Sequence, residues 1–406
     1  MSFMEDGNGG VIELHRGNRT DGFDVTPERL YEAIDAAGHY LKNAVTDTGK
    51  FHYLYYPQFD SYAKSYNLLR HAGTAFSMAQ IYEITRDPEL LDAVKRALEY
   101  LVGVSMGPDE NDRKTHDWMA VTQPRALYAK LGGSGLALLA FGNYTRITGD
   151  KQYVPLMQAY GRFIEYMQEP NGHMQQRYWH KPKDKGRQTK PVLYYPGEAF
   201  FGLGTLYALD GDMRWMKVVE KGIDYIADVR DINTPTKKLE HDHWLMYATN
   251  EMTKVKVKEN QLRHARRVTE AMLGTFNYED KDPFFVGGYY KRPKTTPAAC
   301  RLEAKTAVYE MAKRIGDDEL AERVYETLVL GAGFLMRNQY NDINTMFFPD
   351  PKEAIGGYQG HYWDPGIQID YVQHSTSALI GTRRIMLERQ ADASADDAAE
   401  ELKPAA

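Results

Sequence analysis

Four carboxylates, Glu198, Asp242, Glu303 and Asp370, stand in short polar clusters that also carry histidine, arginine or aromatic residues. The clusters read Tyr66-Asn67-Leu68-Leu69-Arg70-His71, Tyr194-Tyr195-Pro196-Gly197-Glu198, Glu240-His241-Asp242-His243-Trp244, Cys300-Arg301-Leu302-Glu303 and Asp370-Tyr371-Val372-Gln373-His374. The last follows Gln359-Gly360-His361-Tyr362-Trp363-Asp364. Two carboxyl groups held roughly 5–9 Å apart can cleave a glycosidic bond, one as acid and the other as base or nucleophile. Glu198 and Asp242 are the preferred pair because they open consecutive elements of the same kind. His243, Glu303 and Asp370 complete the catalytic candidates. Arg70 and Arg301 suit the carboxylate of an acidic sugar, because a guanidinium matches that group in shape and charge. Tyr194, Tyr195, Trp244, Tyr362 and Trp363 offer aromatic faces on which the CH groups of a pyranose pack. His71, His361, Tyr371 and His374 join the substrate-binding set.

A second chemistry uses the same clusters. An epimerase or a β-eliminating lyase removes a proton beside a carbonyl or carboxylate, which calls for a Tyr or His base and an arginine to hold the anion. Tyr195, His243, Tyr371 and His374 are its candidates. A third reading is carbohydrate binding without catalysis. Every cluster also has a structural reading: Asp242 or Asp370 as an N-cap, Glu198 as a carboxylate favouring a helix dipole, Arg301 and Glu303 as an ion pair. His71, His243 and His374 with Glu198 would form a metal set only by long-range convergence. No HExxH or close-spaced histidine motif is present, so no metal and no cofactor are expected.

The elements that must position these residues repeat along the chain. Turns at Thr85-Arg86-Asp87-Pro88, Thr148-Gly149-Asp150-Lys151, Asp210-Gly211-Asp212-Met213 and Ile315-Gly316-Asp317-Asp318 separate pairs of helical segments. The first three lie about 62 residues apart and the last about 105 further on, which leaves space for a degenerate turn near Val257-Lys258-Glu259-Asn260. The aspartate caps the helix that follows and glycine ends the one before. Amphipathic helices are predicted after the turns, over 88–104, 151–168, 213–229, 259–275 and 318–337. Tighter, small-residue helices precede them, as in Gly132-Gly133-Ser134-Gly135-Leu136-Ala137 and Gly202-Leu203-Gly204-Thr205-Leu206. An opening helix over 27–46 and a closing one over 370–388 bring the total to twelve. Strand signals are few and confined to loops such as 284–290. The long connections, over 47–65, 105–131, 169–196, 230–241, 277–299 and 338–369, all fall beside the N-termini of the inner helices. Those ends suit anionic or hydroxyl-rich ligands. The second inner helix is nearly bare at that level, which leaves room for substrate.

Twelve helices of alternating outer and inner character form an all-α (α/α)6 barrel, and over residues 27–389 this resembles the six-hairpin toroid of many carbohydrate-active enzymes. Glycosidases, unsaturated glucuronyl hydrolases, N-acylglucosamine 2-epimerases, glucuronyl C5-epimerases and polysaccharide lyases use it. The resemblance implies an enzyme acting on an oligosaccharide or polysaccharide, with glycoside hydrolysis of an acidic glycan as the leading expectation. Lanthionine cyclases share the toroid but bind zinc through two cysteines and a histidine, and this chain has one cysteine, Cys300. Terpene cyclases rely on an Asp-rich motif that is absent here.

Bulk properties agree. The 406 residues are 43% hydrophobic and 26% charged with a net charge of −6, ample for a large core and a poor match to a nucleic-acid backbone. There are 29 Tyr against 15 Phe, an excess that suits wet, aromatic-lined surfaces. A single cysteine excludes an intrachain disulfide. Neither a secretion signal nor a membrane span is visible, so a cytoplasmic location is expected, or a periplasmic or secreted one if a signal peptide has been removed. Residues 1–26 read as an N-terminal extension and 390–406 as a disordered tail. The assembly expected is a monomer or homodimer.

Overall fold

The computed structural model describes residues 2–5, 9–15, 18–19, 24–109, 116–181, 185–188 and 191–401. A small antiparallel sheet comes first, β1 (Ser2–Glu5), β2 (Val11–His15) and β3 (Asn18–Arg19). Six outer helices then alternate with six inner ones. The outer set is α1 (Pro27–Ala44), α3 (Pro88–Gly103), α5 (Val154–Tyr166), α7 (Met213–Tyr225), α9 (Glu259–Leu273) and α11 (Asp318–Arg337). The inner set is α2 (Leu68–Thr85), α4 (Leu131–Thr148), α6 (Tyr195–Asp210), α8 (His243–Val255), α10 (Thr295–Ile315) and α12 (Ile369–Glu401). Each inner helix packs on the next, and α12 packs on both α10 and α2, which closes the ring.

Local chemistry accounts for the alternation. Asp87, Asp212 and Asp317 cap α3, α7 and α11 by accepting from the amides of Glu89, Arg214 and Leu320. Gly149, Gly211 and Gly316 end the preceding helices in the left-handed conformation. Two turns deviate. Arg86 rather than a glycine takes the left-handed position, and Asp150 braces the turn through Gln152 while α5 starts later, at Val154. The degenerate turn falls where expected, between Val255 and Glu259. Inner helices approach closely because they lack side chains at the crossings: a Cβ on Gly135 of α4 would stand 2.4 Å from the Glu198 carbonyl oxygen of α6.

The strands lie elsewhere than the sequence suggests. Residues 284–290 contain a 3-10 turn, Pro283–Phe285, and one isolated bridge at Tyr289. The long loops instead fold into two sheets at one end of the ring. One is five-stranded: β6 (Ser105–Met106), β7 (Ala120–Gln123), β8 (Tyr128–Lys130), β9 (Arg177–Trp179) and β10 (Gly186–Gln188). The other pairs β4 (Leu54–Tyr56) and β5 (Ser61–Tyr62) with β11 (Gln359–His361) and β12 (Asp364–Gln368). Such short strands satisfy loop backbone by pairing segments far apart in sequence, which periodicity cannot foresee. At the C-terminus α12 runs on to Glu401, so residues 390–401, read as a disordered tail, continue a helix. Among the described residues no helix is long and apolar enough to cross a membrane.

Candidate active site

All six inner helices begin at the same end of the ring, and the long loops surround that end. Six carboxyl and imidazole side chains from the clusters are buried there: Glu198 of α6, Asp242 and His243 at the start of α8, Glu303 of α10, and Asp370 and His374 of α12. Burial of so many ionisable groups is costly without a purpose or partners.

The tightest association joins α8, α10 and α12. His374 Nδ1 lies 2.7 Å from Glu303 Oε2, and His243 Nε2 lies 3.6 Å from the same oxygen. The two imidazoles are edge to face with centroids 5.1 Å apart. Neither ring nitrogen of His243 has a hydrogen-bond partner within the protein, nor has Glu303 Oε1. Burial, reinforced by the charges on His374 and Arg301, holds His243 well below the ordinary imidazole range, so it is neutral. Burial also works against charge on His374, but Cys300 and Glu303 outweigh it and hold that ring well above its usual range. Glu303 itself is raised by burial. The two imidazoles are thus pushed in opposite directions, an arrangement suited to taking a proton from one atom and delivering one to another.

Glu198 and Asp242 form the second group. Burial and the charge on Asp242 push Glu198 up to about 8. Asp242 is pushed up to about 7 by burial, although its Oδ1 caps α8 through the Leu245 amide at 3.2 Å. Glu198 Oε2 and Asp242 Oδ2 lack protein partners. Glu198 lies against the bare first turn of α4, where a Cβ on Gly132 would fall 1.6 Å from Oε2. This carboxyl group takes part of the room beside that helix, which the sequence reading left for substrate.

A pH dependence follows from these shifts. The folded protein keeps the Glu198 proton from pH 4.5 to about 8, where an unfolded chain would have released it. This group's contribution therefore falls as pH rises through that window and is constant above it. Urea unfolding at pH 5 and pH 8 is expected to show that loss, and Glu198→Gln should flatten it. An unchanged slope in the variant would mean that Glu198 ionises normally in the folded state.

The remaining sequence candidates divide. Arg70 Nε pairs with Asp370 Oδ2 at 3.1 Å and its guanidinium also reaches the Tyr53 hydroxyl. Arg301 Nε donates to His241 Nδ1 at 2.7 Å and Nη1 to the Pro297 carbonyl at 2.7 Å, so the ion pair with Glu303 considered from the sequence does not form. Tyr194 is 37% exposed and its ring meets His243 edge-on, while half-buried Tyr371 lies beside Arg70 and Asp370. Tyr195 is buried, with Glu198 and Arg177 beside its hydroxyl.

Two candidates point elsewhere. His71 turns to the outer wall, where Nδ1 meets the Tyr66 hydroxyl at 2.6 Å and Nε2 the Ala97 carbonyl at 2.9 Å; burial lowers it to about 4. Trp244 is only 2% exposed and packs among Phe76, Phe201, Tyr247 and His374, so it closes the bottom of the site rather than offering a face to a sugar. His361, Tyr362 and Trp363 form an aromatic rim with Phe285, Trp363 being 45% exposed.

Sequence reasoning overlooked Tyr53, Lys130, Arg177 and Gln368; Gln368 donates to Asp370. Lys130, Arg177 and Gln368 lie on the loop strands and Tyr53 just before one, and the strand pairing carried no local signal. The convergence of His71, His243 and His374 with Glu198 considered from the sequence does not occur. His243, Cys300, Glu303 and His374 each place a donor atom within 4.8 Å of the others, whereas His71 is engaged at the outer wall.

No protein-family model and no curated protein matches the chain. Solved structures do. Cellobiose 2-epimerase from Bacillus thermoamylovorans superposes with a TM-score of 0.65 at 10% identity, covering 88% of this chain and 99% of that one. The α-1,6-mannanase GH76A from Salegentibacter sp. gives 0.61 at 12% identity over 88% and 99%. A D-mannose isomerase gives 0.60 at 13% identity over 89% and 100%. The chain has the (α/α)6-toroid fold that these enzymes share. The toroid expected from the sequence is therefore the one observed, and at such identities the likeness speaks for the fold.

Proposed function

We propose that the protein is a carbohydrate-active enzyme that moves a proton on and off a sugar carbon, an epimerase or aldose–ketose isomerase. The observation that carries this is the His243–His374 pair, edge to face with both rings reaching Glu303 Oε2, where burial lowers His243 and the neighbouring Cys300 and Glu303 raise His374. In the open-chain form of a reducing sugar, neutral His243 takes the proton from the carbon beside the carbonyl. The bonding pair moves into a C–C double bond and the carbonyl π pair moves to oxygen, which takes the His374 proton. For the epimer, the enol O–H returns its proton to His374, which delivers it to the other face of the same carbon as the carbonyl re-forms, and His243 releases its proton to solvent; for the isomer, His243 returns its proton to the neighbouring carbon while the hydroxyl on the first carbon gives its proton to His374 and becomes the new carbonyl. Glu303 stabilises the imidazolium and fixes its orientation.

Hydrolysis is the second reading, carried by Glu198 and Asp242. These carboxyls stand on consecutive inner helices and are both raised by burial, so one could act as acid while the other acts as base. Cellobiose 2-epimerases, mannanases and a mannose isomerase all use this fold, so the fold admits either chemistry. Incubation of a panel of reducing mono- and disaccharides in D2O separates them. Solvent deuterium on carbon with unchanged chain length is the expected result. Shortened glycans with no carbon-bound deuterium would replace this reading with hydrolysis.

A further inference from the structure

Lys130 and Arg177 are direct cross-strand partners in the antiparallel pairing of β8 with β9. Like charges placed opposite each other destabilise a sheet, so the pairing calls for an explanation. Neither side chain has a carboxylate within ion-pair distance among the described residues. Three other cations at this end of the ring are engaged: Arg70 with Asp370, Arg301 with His241 and Pro297, Arg230 with Asp231. Both cations lie by the Tyr128 ring, Lys130 Nζ at 5.9 Å and Arg177 Cζ at 5.7 Å from its centroid, and Arg177 Nε is buried without a hydrogen-bond partner. Burial lowers the Lys130 ammonium, and the charges of Arg177 and Arg70 add to that.

The pair is also tied to the catalytic end. Lys130 is the residue before α4, and the Leu131 amide that opens the helix donates to Gln176, next to Arg177. The first turn of α4 has neither a side-chain cap nor an acidic residue, so its positive end is uncompensated. Buried Glu198 lies against that turn with Oε2 unpartnered. Burial and the charge on Asp242 push Glu198 up to about 8, which weakens it as a counter-charge to the cations.

We propose that Lys130 and Arg177, with the start of α4, form an oxyanion subsite that takes a carboxylate or phosphoryl substituent of the substrate. This rests on the proposed proton-transfer reading for the place of the reacting carbon, and it makes the substrate a sugar acid or sugar phosphate. Arg177 supplies two directed donors and Lys130 a point charge, while protonated Glu198 donates to an oxygen instead of repelling it.

The test is calorimetric titration of the full chain with glucuronate, glucose 6-phosphate and glucose. At least one anionic probe is expected to bind tenfold or more tightly than glucose, and the tighter anion identifies the substituent. Lys130→Gln and Arg177→Gln should each remove about tenfold of that preference, while thermal stability holds or rises because the repulsion is relieved. A purely structural pair would instead lose stability when either partner is changed. His243→Asn should keep the anion preference even though it stops deuterium exchange, so failure of the chemistry is distinguishable from failure of the subsite. Anionic probes that bind no tighter than glucose, or a preference that survives in the double variant, would overturn the proposal.

Discussion

His243→Asn is expected to lower kcat for solvent-deuterium incorporation by about 10²- to 10⁴-fold, the contribution of one positioned acid or base. Asparagine keeps a polar group of similar reach but cannot accept and release a proton in the same pH range. The neighbouring rings of Trp244, Tyr194 and His374 still fill the space, so the fold is expected to stand. His374→Asn should fall as far, because it removes the imidazolium and leaves Glu303 buried without its partner. The loss should appear in kcat rather than KM, since these groups act on the transferring proton more than on the bound sugar. Glu198→Gln then discriminates: it should keep most of the exchange activity if the imidazoles do the chemistry, and abolish turnover if the carboxyl pair does. Rapid-quench measurement of carbon-bound deuterium reads all three variants in one assay.

The second large effect is on stability. Gly135→Ala is expected to cost about 3 kcal/mol, the upper end of overpacking in a well-packed core. Its methyl group would meet the Glu198 carbonyl oxygen at 2.4 Å and the Ala199 amide nitrogen at 2.6 Å, both backbone atoms that no rotamer change can move aside. Helices α4 and α6 would have to separate, carrying the Glu198 carboxyl away from α4. Gly211→Ala is the control. It stands at φ +72 with nothing within 4 Å of a new Cβ, so only left-handed strain of about 1–2 kcal/mol applies. Urea midpoints give the comparison, and equal losses at the two positions would refute the close-approach argument.

These two expectations draw on different levels of information. The helices were legible because their determinants are local: the 3.6-residue period, aspartate oxygens at Asp87, Asp212 and Asp317, and glycines at 149, 211 and 316 that tolerate positive φ. The unequal loops also located the end of the ring where polar groups collect. What each side chain meets there was not legible. Arg70 and His71 are neighbours, yet helix geometry turns successive residues by about 100°, sending one toward Asp370 and the other to the outer wall. His243 and Trp244 divide in the same way, one facing Glu303 and the other closing the core.

The amino-acid sequence, then, was sufficient for twelve helices, their order and the end at which chemistry collects, because caps, turns and periodicity act over a few residues. Ring closure decided the rest. Glu303 meets His374 across 71 positions of chain, and Lys130 meets Arg177 through a strand register that neither segment specifies alone. Such pairings depend on how distant surfaces pack, a property of the whole toroid rather than of any one segment.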